Sequence, residues 1–207
     1  MQELYLIGVI PSRRSDIVAN SLLRIFNEPK IIFEYMMVFR PKDVPINLPR
    51  QADYWLRLCG QLDTIGNSES DWIQKAQWAI HLEGTSEPKR EGRCGIRPIS
   101  RAKITNGSPM EFVENLGYEF SHEYIVQGLE YASSNCTIRL FQTLIPSQLH
   151  SIDPPFHPLA EDQAWVLHAY THVTDANNQK AMVQAEANLE HVKSLLISVC
   201  ELKNVRM

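Results

Sequence analysis

The sequence of 207 residues is long enough for a single domain to bury a hydrophobic core. It is 44% apolar and 21% charged, as ordinary globular proteins are, and no apolar run approaches the roughly 18 residues that would span a membrane. The formal net charge of −4 argues against a protein whose whole surface binds nucleic-acid phosphates. We therefore expect one domain over residues 1–207, with no membrane association and no direct sequence-specific binding of nucleic acid.

The cysteines give no sign of a metal site. Cys59, Cys94, Cys136 and Cys200 are far apart and form no Cys-x-x-Cys pair, which argues against a zinc ribbon. Scattered cysteines of this kind are typical of buried thiols in a reducing compartment, which means the cytosol or the nucleus.

The first half of the chain alternates between apolar and polar residues, a pattern that predicts half-buried β-strands. A strand over residues 4–10 is followed by a helix that Ser12 or Ser15 can cap and that carries Leu22 and Phe26 on its apolar face. Four further strands are expected over residues 31–40, 54–62, 72–83 and 94–104.

The second half opens with a short helix that Ser108 caps, with Pro109 in its first turn and Gly117 at its end. Strands follow over residues 118–131 and 136–146, joined by a turn at 132–135, and another strand covers 165–173. The last element is an amphipathic helix over about 177–202, about 38 Å long at 1.5 Å per residue.

Eight strands and few helices predict a β-rich α+β fold. Several of the strands are longer than usual, and closing a sheet on itself removes the edges that invite aggregation. We therefore expect a closed antiparallel eight-stranded β-barrel flanked by helices, with the long C-terminal helix packed against it. An open sheet with helices on one face and a pair of packed sheets are the alternatives.

Several ordered segments together resemble the Mediator complex subunit 18 family over essentially the whole chain. They are QELYLIGVIPSRR, RQADYWLRLC, EGTSEPKREGRCGIRPISRAKITNG, FVENLGYEFSHEYIVQGLEY, TLIPSQ, PPFHPL and CELKNVRM. The resemblance implies a barrel like that of triphosphate tunnel enzymes, a nuclear location, and a non-catalytic role in the Mediator coactivator head module during RNA polymerase II transcription. It also implies a heterodimer with Mediator subunit twenty, a contact with the C-terminal helix of Mediator subunit eight, and indirect contacts with the polymerase and promoter factors.

Tunnel enzymes use glutamates two residues apart on a strand, as in Glu-x-Glu-x-Lys, because such side chains point the same way and share a divalent cation. The first strand offers only Glu3, followed on its own face by Tyr5 and Ile7. His168 and His172 are four residues apart on one strand, so we expect them to be structural. The sequence thus predicts no catalytic residue, no metal ligand and no cofactor.

Arg97, Arg101 and Lys103 form a basic row on one strand face. They could line an anion-binding channel, but charged residues are mostly exposed, which favours a solvated outer face. A divergent tunnel-type phosphohydrolase and an anion- or RNA-binding barrel are therefore the two alternatives to a scaffold protein.

Three features predict contacts with partner proteins. The proline-rich stretch over residues 147–162 can present Phe156 and His157, or can be strapped over the barrel mouth with Phe156 buried. The aromatic side chains of Trp55 and Trp165 suit protein interfaces. The C-terminal helix carries apolar residues outside the stripe that is expected to face the barrel; these residues are Val183, Leu195 and Leu202. They can bind a partner protein, or they can belong to one broad stripe that is buried entirely against the barrel.

Overall fold

The computed structural model describes residues 1–42, 55–62, 72–87, 93–133 and 135–205. Its strands are β1 (Gln2–Ile10), β2 (Lys30–Pro41), β3 (Leu56–Gln61), β4 (Gln77–Glu83), β5 (Gly95–Lys103), β6 (Tyr118–Ala132), β7 (Thr137–Pro146), β8 (Phe156–Pro158) and β9 (Trp165–Val173). Its α-helices are α1 (Ser15–Ile25), α2 (Trp72–Lys75), α3 (Pro109–Asn115) and α4 (Gln179–Leu196). No helix in this part of the chain is both long and apolar enough to cross a membrane.

Eight of the strands close into an antiparallel ring. The strand order is β6-β2-β3-β4-β5-β1-β9-β7, and β7 pairs again with β6, while β8 adds to β7 outside the ring. An uninterrupted register joins β1 to β9 over the whole length of β1, from Gln2 opposite Val173 to Ile10 opposite Trp165. The predicted eight-stranded barrel is confirmed, and both the open sheet and the pair of packed sheets are wrong.

Helices cover the outer wall of the barrel in two places. One apolar cluster lies between the strands and helices α1 and α4, and includes Leu4, Leu22 and Leu189. The other includes Phe39, Trp72 and Val113, and brings α2 and α3 against the opposite strands. Because the outward residues of these strands are the apolar ones, the inward residues are left to form a largely polar lumen.

The predicted strand over 72–83 begins with a helical turn instead. Trp72 packs on Tyr35 with ring centroids 4.6 Å apart, and its indole nitrogen donates to the carbonyl of His150 at 3.1 Å. Residues four positions apart lie on the same face both of a helix and of a strand. The spacing of Trp72 and Ala76 is therefore compatible with either element. Tertiary packing of the indole decides in favour of the helix.

The C-terminal helix is shorter than predicted. It contains 18 residues, which at 1.5 Å each is about 27 Å, and it ends at Leu196 rather than near residue 202. Beyond it the chain extends along β1, where Ile7 and Lys203 exchange two backbone hydrogen bonds of 2.8 Å. This pairing covers an open edge of β1, and the strand-like backbone that it requires cannot be part of a helix.

Candidate functional site in the barrel lumen

The lumen holds a cavity of about 530 Å³ with two different walls. Strands β2, β6 and β7 supply an apolar strip of Met36, Val126 and Phe141, and the same strands also contribute the charged residues Glu34, Glu123 and Arg139. The facing strands supply a charged wall; its residues are Arg57, His81, Glu83, Arg97, Arg101 and His168. Alternation places these side chains inside because every second residue of a barrel strand points to the interior.

Glu3 is fully buried and contacts two residues of the charged wall, Arg97 and Arg101. The guanidinium of Arg97 contacts its carboxylate at 2.6 Å, and the Nε2 atom of His172 approaches it at 3.1 Å. Burial alone would raise the pKa of Glu3, but the hydrogen bond with His172 and the charge of Arg97 outweigh burial and lower the pKa to about 2. The carboxylate is therefore ionised and fully engaged at neutral pH.

Two arginines each bridge two carboxylates. Arg97 donates to Glu3 and to Glu83, the latter at 2.7 Å. Arg139 binds Glu34 through two hydrogen bonds of 2.9 and 3.0 Å, and its Nε atom donates to Glu130 at 2.6 Å. These charge-assisted pairs balance most of the positive charge of the lumen.

Arg57 also belongs to this network, since it donates to Glu83 at 3.0 Å. Three arginines are thus held by four glutamates.

Arg101 is bound less tightly than the other lumen arginines. Among the described residues its one ion-pair contact is with Glu3, at 3.8 Å, and its side chain is 33% exposed. Its cross-strand neighbour is His81. Burial lowers the pKa of His81 to about 4, and the charge of Arg101 acts in the same direction, so His81 is neutral at pH 7.

The structure corrects the prediction for the basic row. Arg97 is buried and lines the lumen, so a solvated outer face is wrong for it. Arg101 also lines the lumen but is exposed, whereas Lys103 is exposed at the end of β5 and does not line the cavity. The error arose because a polar strand face was taken to face solvent, although helices cover the opposite, apolar face. That this row binds an anion stays a prediction.

The two histidines of β9 both approach Glu3. The Nε2 atom of His172 lies 3.1 Å from its carboxylate and that of His168 lies 4.0 Å from it. Burial lowers the pKa of His168 to about 4 although the charge of Glu3 opposes the shift, and its Nε2 atom has no hydrogen-bond partner within the described ranges. Across the same residues, no group of three histidine, cysteine, aspartate or glutamate side chains is arranged to hold a metal ion.

Other lumen residues were not singled out from the sequence. Arg57, Glu34 and Arg139 each line the cavity, and each sits at an alternate position of a predicted strand. The period-two pattern contained this signal, but it did not say which face of each strand points inward.

The predicted aromatic partner residues lie in different places. Trp55 is half-buried, with its ring 5.8 Å from that of His122, which lines the cavity. Phe156 is half-buried and packs on Phe33 at 6.0 Å. Trp165 is half-buried against the core below α1 and α4.

His157, next to Phe156, is exposed, and its Nε2 atom lies 3.2 Å from the hydroxyl of Ser147.

The predicted partner residues on α4 and beyond it differ in their exposure to solvent. Val183 and Leu195 are exposed on α4, whereas Leu202 is only 2% exposed and packs into the core of its own chain. The prediction that Leu202 lies on a helix and is free for a partner is therefore wrong, because the chain leaves the helix before this residue. Two exposed apolar residues that the sequence did not single out are Ile197, at 79%, and Leu149, at 71%.

Comparison with known proteins gives consistent results over the whole chain. The family model described as Med18 protein matches residues 2–205. The chain is 61% identical, over the full length of both sequences, to Mediator of RNA polymerase II transcription subunit 18 of Schizosaccharomyces pombe (strain 972 / ATCC 24843). The chain belongs to the Mediator subunit 18 family. The predicted functional class, a Mediator subunit of the nuclear RNA polymerase II machinery, is confirmed.

Two solved structures extend the comparison. A chain in the structure of the Schizosaccharomyces pombe Mediator head module is 58% identical, with a TM-score of 0.92 and complete coverage of both chains. The PH1819 protein from Pyrococcus horikoshii OT3 is 13% identical, with a TM-score of 0.61 over 98% of this chain and 94% of the other. The second likeness shows a shared barrel fold alone.

Proposed function

We propose that this chain is a non-enzymatic scaffold of the Mediator head module that acts through protein–protein contacts. The proposed direct partners are Mediator subunit twenty, in a heterodimer, and the C-terminal helix of Mediator subunit eight; RNA polymerase II and promoter factors are contacted indirectly. The observation that carries the proposal is the likeness, at 58% identity and over the full length of both chains, to a chain in a solved Mediator head module.

The state of Glu3 supports a role without catalysis. Metal-dependent phosphoryl chemistry on a strand face needs carboxylates two residues apart that are free to share a cation. Glu3 is followed on its face by Tyr5, and Arg97 and His172 already occupy its carboxylate. A cation would have to displace both partners, so the tunnel-type phosphohydrolase is disfavoured.

The charge balance of the lumen disfavours the RNA-binding alternative. Binding a nucleic-acid backbone needs several cationic side chains that are free to meet phosphates. Arg57, Arg97 and Arg139 are instead held by glutamates at 3.0 Å or less. Phosphates would have to compete with four carboxylates of the protein itself.

Two exposed apolar surfaces suit two partners. The first, here called the helix patch, consists of Ile17 on α1 with Leu195 and Ile197 at the end of α4, all exposed. Arg14, just before α1, donates to the carbonyl of Val199, just after α4, at 3.0 Å, so the two helix ends lie side by side. A patch formed by two adjacent helix ends suits a partner helix.

The second surface, here called the loop patch, consists of Leu149 and Leu159, both exposed at the two ends of the segment that carries β8. The backbone amide of His150 donates to Glu123 at 2.6 Å, and that of Leu159 donates to the carbonyl of Thr143 at 2.9 Å. These bonds fix the segment to the barrel, so a partner would meet a preorganised surface.

Co-purification of variants with both partner subunits tests the surfaces. Ile197→Arg introduces a charge into the helix patch, and Ser198→Arg introduces the same charge at the exposed neighbouring position. Leu149→Arg and Gln148→Arg form the matching pair for the loop patch. Each leucine or isoleucine variant is expected to lose one subunit, while both controls retain both subunits. Retention of both subunits by Ile197→Arg and by Leu149→Arg would contradict the assignment of these surfaces.

The non-enzymatic part of the proposal has its own assay. Phosphate release from nucleoside triphosphates with Mg²⁺ or Mn²⁺ is expected to equal the background without protein. Release that a chelator abolishes and that Glu3→Gln removes would show that the barrel is an enzyme.

A further inference from the structure

The lumen combines one unsatisfied cationic group with an apolar wall. Arg97 and Arg139 each bridge two carboxylates at hydrogen-bond distance, whereas Arg101 has one carboxylate contact among the described residues, at 3.8 Å. A guanidinium carries five N–H donors and suits planar, bidentate acceptors. Arg101 therefore retains the capacity to bind one further carboxylate.

Neutral imidazoles surround this position. His81 lies directly across the strand pair from Arg101, and both residues line the cavity. The Nε2 atom of His168 is buried in the cavity wall without a hydrogen-bond partner in the same part of the chain. Buried polar atoms normally have a partner, and this atom faces the carboxylate of Glu3 at 4.0 Å, beyond hydrogen-bond distance.

The number of free charges limits the ligand to a single negative group. Arg57, Arg97 and Arg139 are engaged by four glutamates, so a di- or trianion would have to break existing ion pairs to be neutralised. A monoanion needs only Arg101. A cation would meet Arg101, while Glu34 and Glu83 are held by arginines and Glu123 accepts from the amide of His150.

The apolar residues of the cavity favour a ligand that has an apolar part. Met36, Val126 and Phe141 line the cavity and belong to a small apolar cluster that is separate from the two helix-covered cores. His122 also lines the cavity, and its ring lies 5.8 Å from that of Trp55. A volume of about 530 Å³ lies within the range of roughly 300–1,000 Å³ that is typical of small-molecule sites.

We propose that the barrel lumen binds a small amphiphilic monocarboxylate. Its carboxylate pairs with the guanidinium of Arg101 and accepts a hydrogen bond from the imidazole of His81. Its apolar body lies against Met36, Val126 and Phe141. None of the helix-patch residues lines the cavity, whereas Leu159 of the loop patch does.

Decanoate is the probe for the test, with decyltrimethylammonium as the probe of opposite charge and inorganic triphosphate as the multivalent anion. Binding to the full chain is measured by isothermal titration calorimetry and by the NMR shift of the Met36 methyl group, which reports from inside the lumen. Decanoate is expected to bind saturably and to shift this resonance, and neither other probe is expected to do so.

The variants compare two positive charges on one strand. Arg101→Gln is expected to weaken decanoate binding by at least about tenfold, because it removes a charge-assisted contact. Lys103→Gln removes the same charge outside the cavity and is expected to leave the affinity unchanged. Arg101→Lys restores the charge and is expected to recover part of the affinity.

Four results would overturn the proposal: no saturable binding of decanoate, equal affinity of the wild type and Arg101→Gln, equal binding of decyltrimethylammonium, or tighter binding of triphosphate at the same site. Because the Arg101 side chain is partly exposed and weakly paired, Arg101→Gln is expected to fold, and its circular dichroism spectrum checks this directly.

Discussion

Replacement of Glu3 by glutamine tests the ion network that fills the lumen. The pKa of Glu3 is about 2 in the folded chain against 4.5 for the free side chain, a difference that corresponds to about 3 kcal/mol of stability at pH 7. Breaking a buried ion pair by removing one partner costs about 3–5 kcal/mol, which agrees in size. We therefore expect Glu3→Gln to lower the free energy of unfolding by about 3 kcal/mol at pH 7.

The sign of the pH dependence follows from the lowered pKa. A carboxylate whose pKa is depressed by folding contributes its full stability above its unfolded value of 4.5 and loses it as the pH falls through about 2. The difference between wild type and Glu3→Gln should therefore shrink to about 1.4 kcal/mol at pH 3. Urea unfolding followed by circular dichroism at pH 7 and pH 3 measures both values.

Glu119→Gln is the matched control. Glu119 also pairs with an arginine, Arg40, at 2.7 Å, but both side chains are largely exposed at the surface. Exposed pairs of this kind contribute about 0–1 kcal/mol. Equal effects of Glu3→Gln and Glu119→Gln, or a loss at Glu3 that does not change between pH 7 and pH 3, would refute the account of the lumen.

Two further predictions concern packing. Leu202→Ala should lower the free energy of unfolding by about 2–4 kcal/mol because it opens a cavity in the core. Leu195→Ala, on the exposed face of α4, should change the free energy of unfolding by less than about 0.5 kcal/mol. Equal small effects of the two variants in urea unfolding would show that the C-terminal segment is not packed as described. Gly128→Ala should lower the melting temperature, because its added Cβ atom would meet the backbone carbonyl of Leu140 on the neighbouring strand. Overpacking of this kind costs about 1–3 kcal/mol. An unchanged melting temperature would contradict the close approach of β6 and β7.

The barrel could be predicted from the sequence because strand periodicity is local. Alternating residues identified every strand of the ring, and the Ser108 cap of α3 was also correct, since its hydroxyl accepts from the amide of Glu111 at 3.3 Å. Strand β8 was missed because its three residues are too few to show a period and Pro158 removes a backbone donor.

The interior of the barrel could not be predicted in the same way. Alternation separates the two faces of a strand but does not say which face points inward, and here the apolar face is covered by helices while the polar face lines the lumen. The roles of Arg97 and Glu3 depend on this choice and on a contact between residues 94 positions apart in the sequence.

The end of α4 likewise depends on a distant element. The three-four spacing continues past Leu196, yet the chain leaves the helix so that Lys203 can pair with Ile7 and Leu202 can enter the core. Hydrogen-bonding groups at an open strand edge are satisfied at the expense of local helix propensity.

The most direct test of the scaffold account is the mass of the assembly formed when the full chain is co-expressed with Mediator subunits twenty and eight. Size-exclusion chromatography with light scattering should give a single species with one copy of each subunit. Deletion of the C-terminal helix of subunit eight should release that subunit and leave the heterodimer with subunit twenty intact. A chain that elutes alone as a monomer, with neither subunit bound, would contradict the account.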